Sequence, residues 1–225
     1  MVRELLHQQR FRVETIYALP DWLHEQSAAL ANAGIPAVAV AERELGQLSQ
    51  LVTAHQALAV VDAPVRPDAL ALPSDTWSLF LDGIQDPANL GAILRVADWF
   101  GIRQVVLAPD TVDPYNPKAI QASMGAFLRV SCPEASLAEV AESHPGLLRA
   151  GAAMGGENVF TAGLPAAGLL VIGREGPGIR PDALAWLQRT VAVPAPANSG
   201  AESLNAAVAT GILCAVITQK AVSNA

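Results

Sequence analysis

A chain of 225 residues that is 52% hydrophobic, with a mean hydropathy of +0.32, can build a large core as one domain or as a small domain plus a medium one. Its two cysteines, Cys132 and Cys214, exclude a disulfide framework and a cysteine-based metal site; no unbroken apolar run reaches the roughly 18 residues of a membrane span. The net charge of −7, with 14 basic against 21 acidic residues, counts against a broad nucleic-acid-binding face, although twelve of the basic residues are arginines suited to two-pronged phosphate contact.

No charged segment followed by an apolar one opens the chain as a secretion signal, so the expected setting is cytoplasmic, with no membrane partner. Residues 11–19 alternate well enough for a strand. Asp21 is expected to cap a helix running to about Asn32 and ended by Gly34, with a second strand over 35–40, a short helix over 42–51 and a third strand over 57–61. Residues 1–66 therefore read as a small α/β domain that begins abruptly, as though earlier elements were absent. The stretch 63–75, APVRPDALALPSD, has three prolines and contains the linker, placed at 67–76.

From Trp77 the alternation resumes and runs through 77–225. Strands are expected at WSLFLD, QVVLAP, FLRVSC, LLRAGAAM, LLVIG and VAV, and helices at DPANLGAILRVADWFG, KAIQASMGA, SLAEVAES, DALAWLQR and the Ala-rich C-terminal segment. This order predicts an α/β fold with a parallel sheet and helices on both faces.

Three stretches carry chemistry. In Leu81–Gly101, LDGIQDPANLGAILRVADWFG, Asp86 is a natural N-cap and Pro87 fits the first helical position. Leu90, Ile93, Leu94, Ala97 and Phe100 form the buried stripe. Asn89 lies in the first turn, at the positive end of the helix, and small residues leave Arg95 unshielded. The plain structural alternative pairs Arg95 with Asp98 and makes Asn89 a capping residue. In Leu169–Ile179, LLVIGREGPGI, an apolar strand ends at Gly173 and Glu175 follows, framed by Gly176 and Gly178. Glycines there permit positive φ and close ligand approach beyond a strand's carboxyl end, where α/β proteins bind ligands. In Val191–Ala215, VAVPAPANSGAESLNAAVATGILCA, a short strand stops at Pro194 and a polar loop leads into a helix apolar on every side, with Ser203 the expected N-cap and Asn205 close behind.

Together, in this order and spacing, DPANLGAILR, IGREGPG and the loop ending in SLN resemble the SpoU/TrmH family of RNA ribose 2′-O-methyltransferases, and IQASMGA is similar to that family's Ser-x-Gly-Ala segment. The resemblance covers roughly Ser78 to Thr218, and residues 11–62 look like the later part of the family's small substrate-binding domain. It implies S-adenosylmethionine (SAM) as cofactor, held in a deep C-terminal trefoil knot, with a homodimer whose catalytic pocket lies at the subunit interface and no metal. On that basis Gly173, Gly176, Val193, Pro194 and Leu204 line the cofactor pocket, and Asn89, Arg95, Glu175, Ser203 and Asn205 match the polar active-site positions. A guanidinium is effectively always protonated. Arg95 is therefore expected to clamp phosphate and stabilise developing alkoxide charge, with Asn89 and Ser203 orienting it and the hydroxyl. The expected substrate is RNA, ribosomal rather than transfer RNA. A tRNA 2′-O-methyltransferase and a non-catalytic RNA-binding or assembly factor with the same fold stand as alternatives.

Overall fold

The structure is a computed structural model, and it describes residues 1–8, 10–49, 55–62, 70–196 and 198–219. It divides into two compact units, Met1–Val65 and Arg66–Ala225.

The first unit runs α1 (Val2–Leu5), β1 (Arg12–Ala18), α2 (Pro20–Glu25), α3 (Ser27–Ala33), β2 (Ala37–Ala39), α4 (Glu42–Leu48) and β3 (Ala57–Asp62). Its sheet has the order β2-β1-β3, with β1 parallel to β2 and antiparallel to β3. Leu6, Ile16, Ala18, Trp22 and Leu30 make its core. The single helix expected from Asp21 is two helices, broken at Gln26, whose ψ of 8° leaves the helical range. Its N-cap is Leu19, in extended conformation ahead of Pro20, so Asp21 sits inside the first turn. Gly34, at φ 64°, ends α3 as expected. The last part of the helix expected over 42–51, and 63–69 of the linker stretch, lie outside the described residues.

The second unit comprises β4 (Trp77–Asp82), α5 (Pro87–Trp99), β5 (Val105–Leu107), α6 (Pro117–Ser123), a 3-10 turn at Ala126–Leu128, α7 (Leu137–Ser143), β6 (Arg149–Asn158), β7 (Gly168–Gly173), α8 (Pro181–Leu184), β8 (Arg189–Ala192) and α9 (Ala206–Ile217). The sheet order is β5-β4-β7-β6-β8, and every adjacent pair is parallel. Continuous burial of β4 and β7 explains their unbroken apolar runs. Phe80, Val106, Leu137, Val140, Leu169 and Val171 are central to one core cluster. The β4–β7 register pairs Trp77 with Gly168 and Asp82 with Gly173, so the loops bearing Asn89 and Glu175 leave neighbouring strands at the same level.

Three expectations for the second unit are corrected here. FLRVSC is not a strand. Gly125 at φ 93° turns the chain into the 3-10 segment that takes in Phe127 and Leu128, leaving the stretch only an isolated bridge from Ser131 to Gln104. DALAWLQR is helical only to Leu184. The Trp186 carbonyl accepts from Arg149 Nε at 2.8 Å, and the Gln188 side chain accepts from the Arg149 backbone N–H at 2.6 Å. Ser203 is not the N-cap of the last helix; Asn205 is, its Oδ1 accepting from the N–H groups of Ala207 and Val208 at 3.0 and 3.2 Å.

Candidate active site

Asp86 and Pro87 start α5 as the sequence predicts: Asp86 Oδ1 accepts from the Ala88 N–H at 2.9 Å. This fixes Asn89 in the first turn, where it is only 8% exposed. Close packing of α5 on α6 needs Gly91, since a Cβ there would meet the Ala119 carbonyl oxygen at 2.4 Å.

Glu175 sits on a tight turn past β7. The turn is closed by Arg174 N–H donating to the Gly178 carbonyl at 3.1 Å and Gly178 N–H donating to the Arg174 carbonyl at 3.0 Å, with Gly176 and Gly178 at φ 79° and 74°. Gly173 is required because a Cβ would lie 2.2 Å from the Gly178 carbonyl carbon. The turn's own backbone fills that space.

These two elements and the start of α9 converge. Asn89 Nδ2 donates to Glu175 Oε1 at 2.9 Å, Asn205 Nδ2 donates to the same oxygen at 2.6 Å and to Asn89 Oδ1 at 2.9 Å, and the Ala206 N–H points to Glu175 Oε1 at 3.3 Å. One carboxylate oxygen thus gathers residues from all three motifs, at a helix N-terminus whose dipole favours negative charge. Glu175 Oε2 takes no hydrogen bond among the described residues, and it is the cluster's spare acceptor.

Arg95 does not join this cluster within one chain. It lies six residues along α5 from Asn89, about 120° round the helix, exposed and without a hydrogen bond or ion pair among the described residues. Its plain structural partner, Asp98, is taken by Arg103 at 3.2 Å and Arg129 at 2.9 Å. Ser203 is exposed and likewise unbonded among the described residues. Val193 is half-buried, Pro194 and Leu204 are exposed, and all three lie in the irregular segment between β8 and α9.

The sequence reading missed four charged groups beside the cluster. Asp82, fully buried at the end of β4, accepts from Arg180 N and Nε at 2.7 and 2.8 Å, and Asp110 pairs with both Arg174 and Arg180. The hydrogen bond to Asp82 holds the Arg180 guanidinium above its ordinary pKa.

Residues 76–215 match the model of the SpoU rRNA methylase family. The chain belongs to that family. A TrmH-family protein from Porphyromonas gingivalis is similar to it in structure, with TM-score 0.82 and 33% identity over 97% of this chain and 86% of that one. The SpoU methyltransferase AviRb from Streptomyces viridochromogenes, solved in complex with AdoMet, has TM-score 0.82 at 24% identity, over 98% of this chain and 88% of that one. The 23S rRNA (guanosine(2553)-2′-O)-methyltransferase RlmP of Bacillus subtilis is 28% identical over 92% of this chain and 91% of its own. Coverage is not uniform among relatives: the 38% identical match to a ribosomal RNA small subunit methyltransferase of Syntrophobacter fumaroxidans takes in 57% of this chain but only 24% of that protein.

Proposed function

We propose that this SpoU-family chain is a SAM-dependent RNA 2′-O-ribose methyltransferase acting on ribosomal RNA. The observation that carries the reading is the Asn89–Glu175–Asn205 cluster, in which one residue from each motif meets at a single carboxylate oxygen. The name of the Bacillus relative, a 23S rRNA 2′-O-methyltransferase, supports the substrate class and the acceptor.

The residues fit the cofactor. Past the carboxyl ends of β7 and β8, a Cβ at Gly176 would meet no atom within 4 Å, and the segment after β8 presents Pro194 and Leu204 to solvent. Gly173, Gly176, Val193, Pro194 and Leu204 would hold SAM there, chiefly through backbone groups, within a C-terminal trefoil knot. When bound, SAM supplies an electrophilic methyl on its sulfonium. The chain's task is then to bring a ribose hydroxyl to near-attack distance and to steady the charge that develops on it. Asn89 and Asn205 hold Glu175 in place, which leaves Oε2 for a hydroxyl or amine donor of the bound reactants. Arg95 clamps the RNA phosphate and stabilises developing alkoxide charge, and Ser203 orients the hydroxyl.

Arg95 points the reading towards a homodimer. It is the unpaired cation of α5, on a different face from Asn89, so a second copy brings its Arg95 to complete the pocket. Val96 of α5 lies near Gly211 of α9, and each of these two helices carries an exposed apolar side chain, Trp99 at 83% and Val208 at 52%, for a twin subunit to cover. Residues 1–66 are the RNA-recognition part, joined through the linker at 67–76 to the catalytic part, 77–225, and the setting is cytoplasmic. Titration calorimetry in EDTA tests the cofactor: SAM and S-adenosylhomocysteine should release or absorb heat with one site per chain, and no heat from either would overturn the reading. Light scattering should return about twice the 23.4 kDa chain mass.

A further inference from the structure

The four charged groups beside the cluster hold both ends of the turn that carries Glu175. Arg174 begins the turn, and its guanidinium lies against the Asp110 carboxylate. Arg180 follows the turn by two residues. Its backbone N–H and guanidinium bind Asp82, and its other terminal nitrogen lies 3.2 Å from Asp110. Asp82 is fully buried, and a buried carboxylate without partners would be strongly unfavourable, so Arg180 is tied to the strand end by necessity. Asp110 is the shared acid: it reaches Arg174 before the turn and Arg180 after it. The fold makes room for this arrangement at Gly83, where a Cβ would meet Arg174 Nε at 2.6 Å and Asp110 Oδ2 at 2.8 Å. Between the two anchors only Glu175, Gly176 and Pro177 project, and Glu175 is the residue on which Asn89 and Asn205 converge.

We propose that Arg174 and Asp110 are positioning residues for the methyl transfer: with Arg180 and Asp82 they clamp the root of the turn, so that the Glu175 carboxylate stays in hydrogen-bond reach of Asn89, Asn205 and the start of α9. This rests on the methyltransferase reading above. Neither residue touches the reactants; both act through Glu175. The division of labour follows from burial. Asp82–Arg180 secures the strand end and so the fold, whereas the part-exposed Arg174–Asp110 pair sets where the tip stands.

The test is a double-variant cycle in the full chain, with Arg174→Met, Glu175→Gln and the two combined. Arg174→Met should lower kcat about ten-fold in the wild-type background and less than two-fold in the Glu175→Gln background, because there is no carboxylate left to position. Arg174→Lys should recover part of the loss, and Asp110→Asn should behave like Arg174→Met. A purely structural role gives the same factor in both backgrounds and would overturn the inference. Hydrogen exchange supplies a readout independent of activity. The Gly178 amide, which donates to the Arg174 carbonyl, should exchange at least ten-fold faster in Arg174→Met while the amides of β7 are unchanged, and unchanged exchange at Gly178 would also overturn it. A wild-type chain that transfers no methyl at all would sink the methyltransferase reading itself, leaving the exchange result to decide whether the clamp exists.

Discussion

Asn205 and Glu175, thirty residues apart, share a hydrogen bond of 2.6 Å from Nδ2 to Oε1, while the other end of the same Asn205 amide caps α9. One side chain therefore does two separable things, and substitutions can part them. Asn205→Asp keeps an oxygen for the Ala207 and Val208 N–H groups but loses the donor to Glu175 and Asn89, and it sets a second carboxylate beside the first. Asn205→Ala loses both roles. The expected outcome is that Asn205→Ala loses about 1 kcal/mol of helix capping that Asn205→Asp retains, while both lose most activity. Urea denaturation together with a methyl-transfer assay checks this, and an active Asn205→Asp enzyme would contradict it.

What could be read from the sequence was whatever is local. Asp86-Pro87 announces the start of α5, and the unbroken apolar runs of β4 and β7 announce buried parallel strands. The N-cap of α9 is not legible locally, because Ser203 and Asn205 are equally good caps in isolation. What selects Asn205 is the Glu175 carboxylate, distant in sequence, which engages its Nδ2. The Asp82–Arg180 pair spans 98 residues and leaves no periodic trace, so the charge cluster had no local signal to find it by. Arg95 was identified by its motif, but its place apart from Asn89 depends on the rotation of α5, which spacing alone could have given.

The glycines of the turn should differ in kind. Gly173→Ala places a Cβ against the Gly178–Ile179 backbone, so the turn must move: a loss of about 2 kcal/mol or more in stability, with weakened SAM binding, is expected. Gly176→Ala meets no atom and has only its positive φ to oppose it, at a cost of about 1 kcal/mol. Equal effects of the two in denaturation and calorimetry would contradict this assignment.

Arg95 as a clamp makes its own demand. Arg95→Lys keeps the charge without the two-pronged geometry and should retain a measurable part of the rate with a raised RNA KM. Arg95→Ala should lose about 2 to 4 kcal/mol of transition-state stabilisation, with SAM affinity nearly unchanged in both. If Arg95 were instead the base, the pH–rate profile of Arg95→Lys would shift downward, since an amine titrates near pH ~10.

Burial of Cys214 in α9 pushes its thiol up from an ordinary value of 9.0 to about 12. Below pH ~9 the thiol is protonated in both folded and unfolded chains and contributes no pH dependence. Between about 9 and 12 the unfolded chain releases a proton that the folded chain keeps, so stability falls as pH rises. Comparing denaturation of wild type and Cys214→Ala from pH 8 to 11 should show a steeper decline in wild type, and parallel curves would contradict it.

Methyl transfer to a ribose hydroxyl of ribosomal RNA can be measured outright. The direct measurement incubates the full chain with methyl-labelled SAM and ribosomal RNA transcribed in vitro, then digests the RNA and maps the label. Incorporation should be lost on prior ribonuclease treatment, lie at one internucleotide bond made resistant to alkali, and fall sharply in Glu175→Gln. Label on a base, or no label on RNA from a chain that binds SAM, would contradict it.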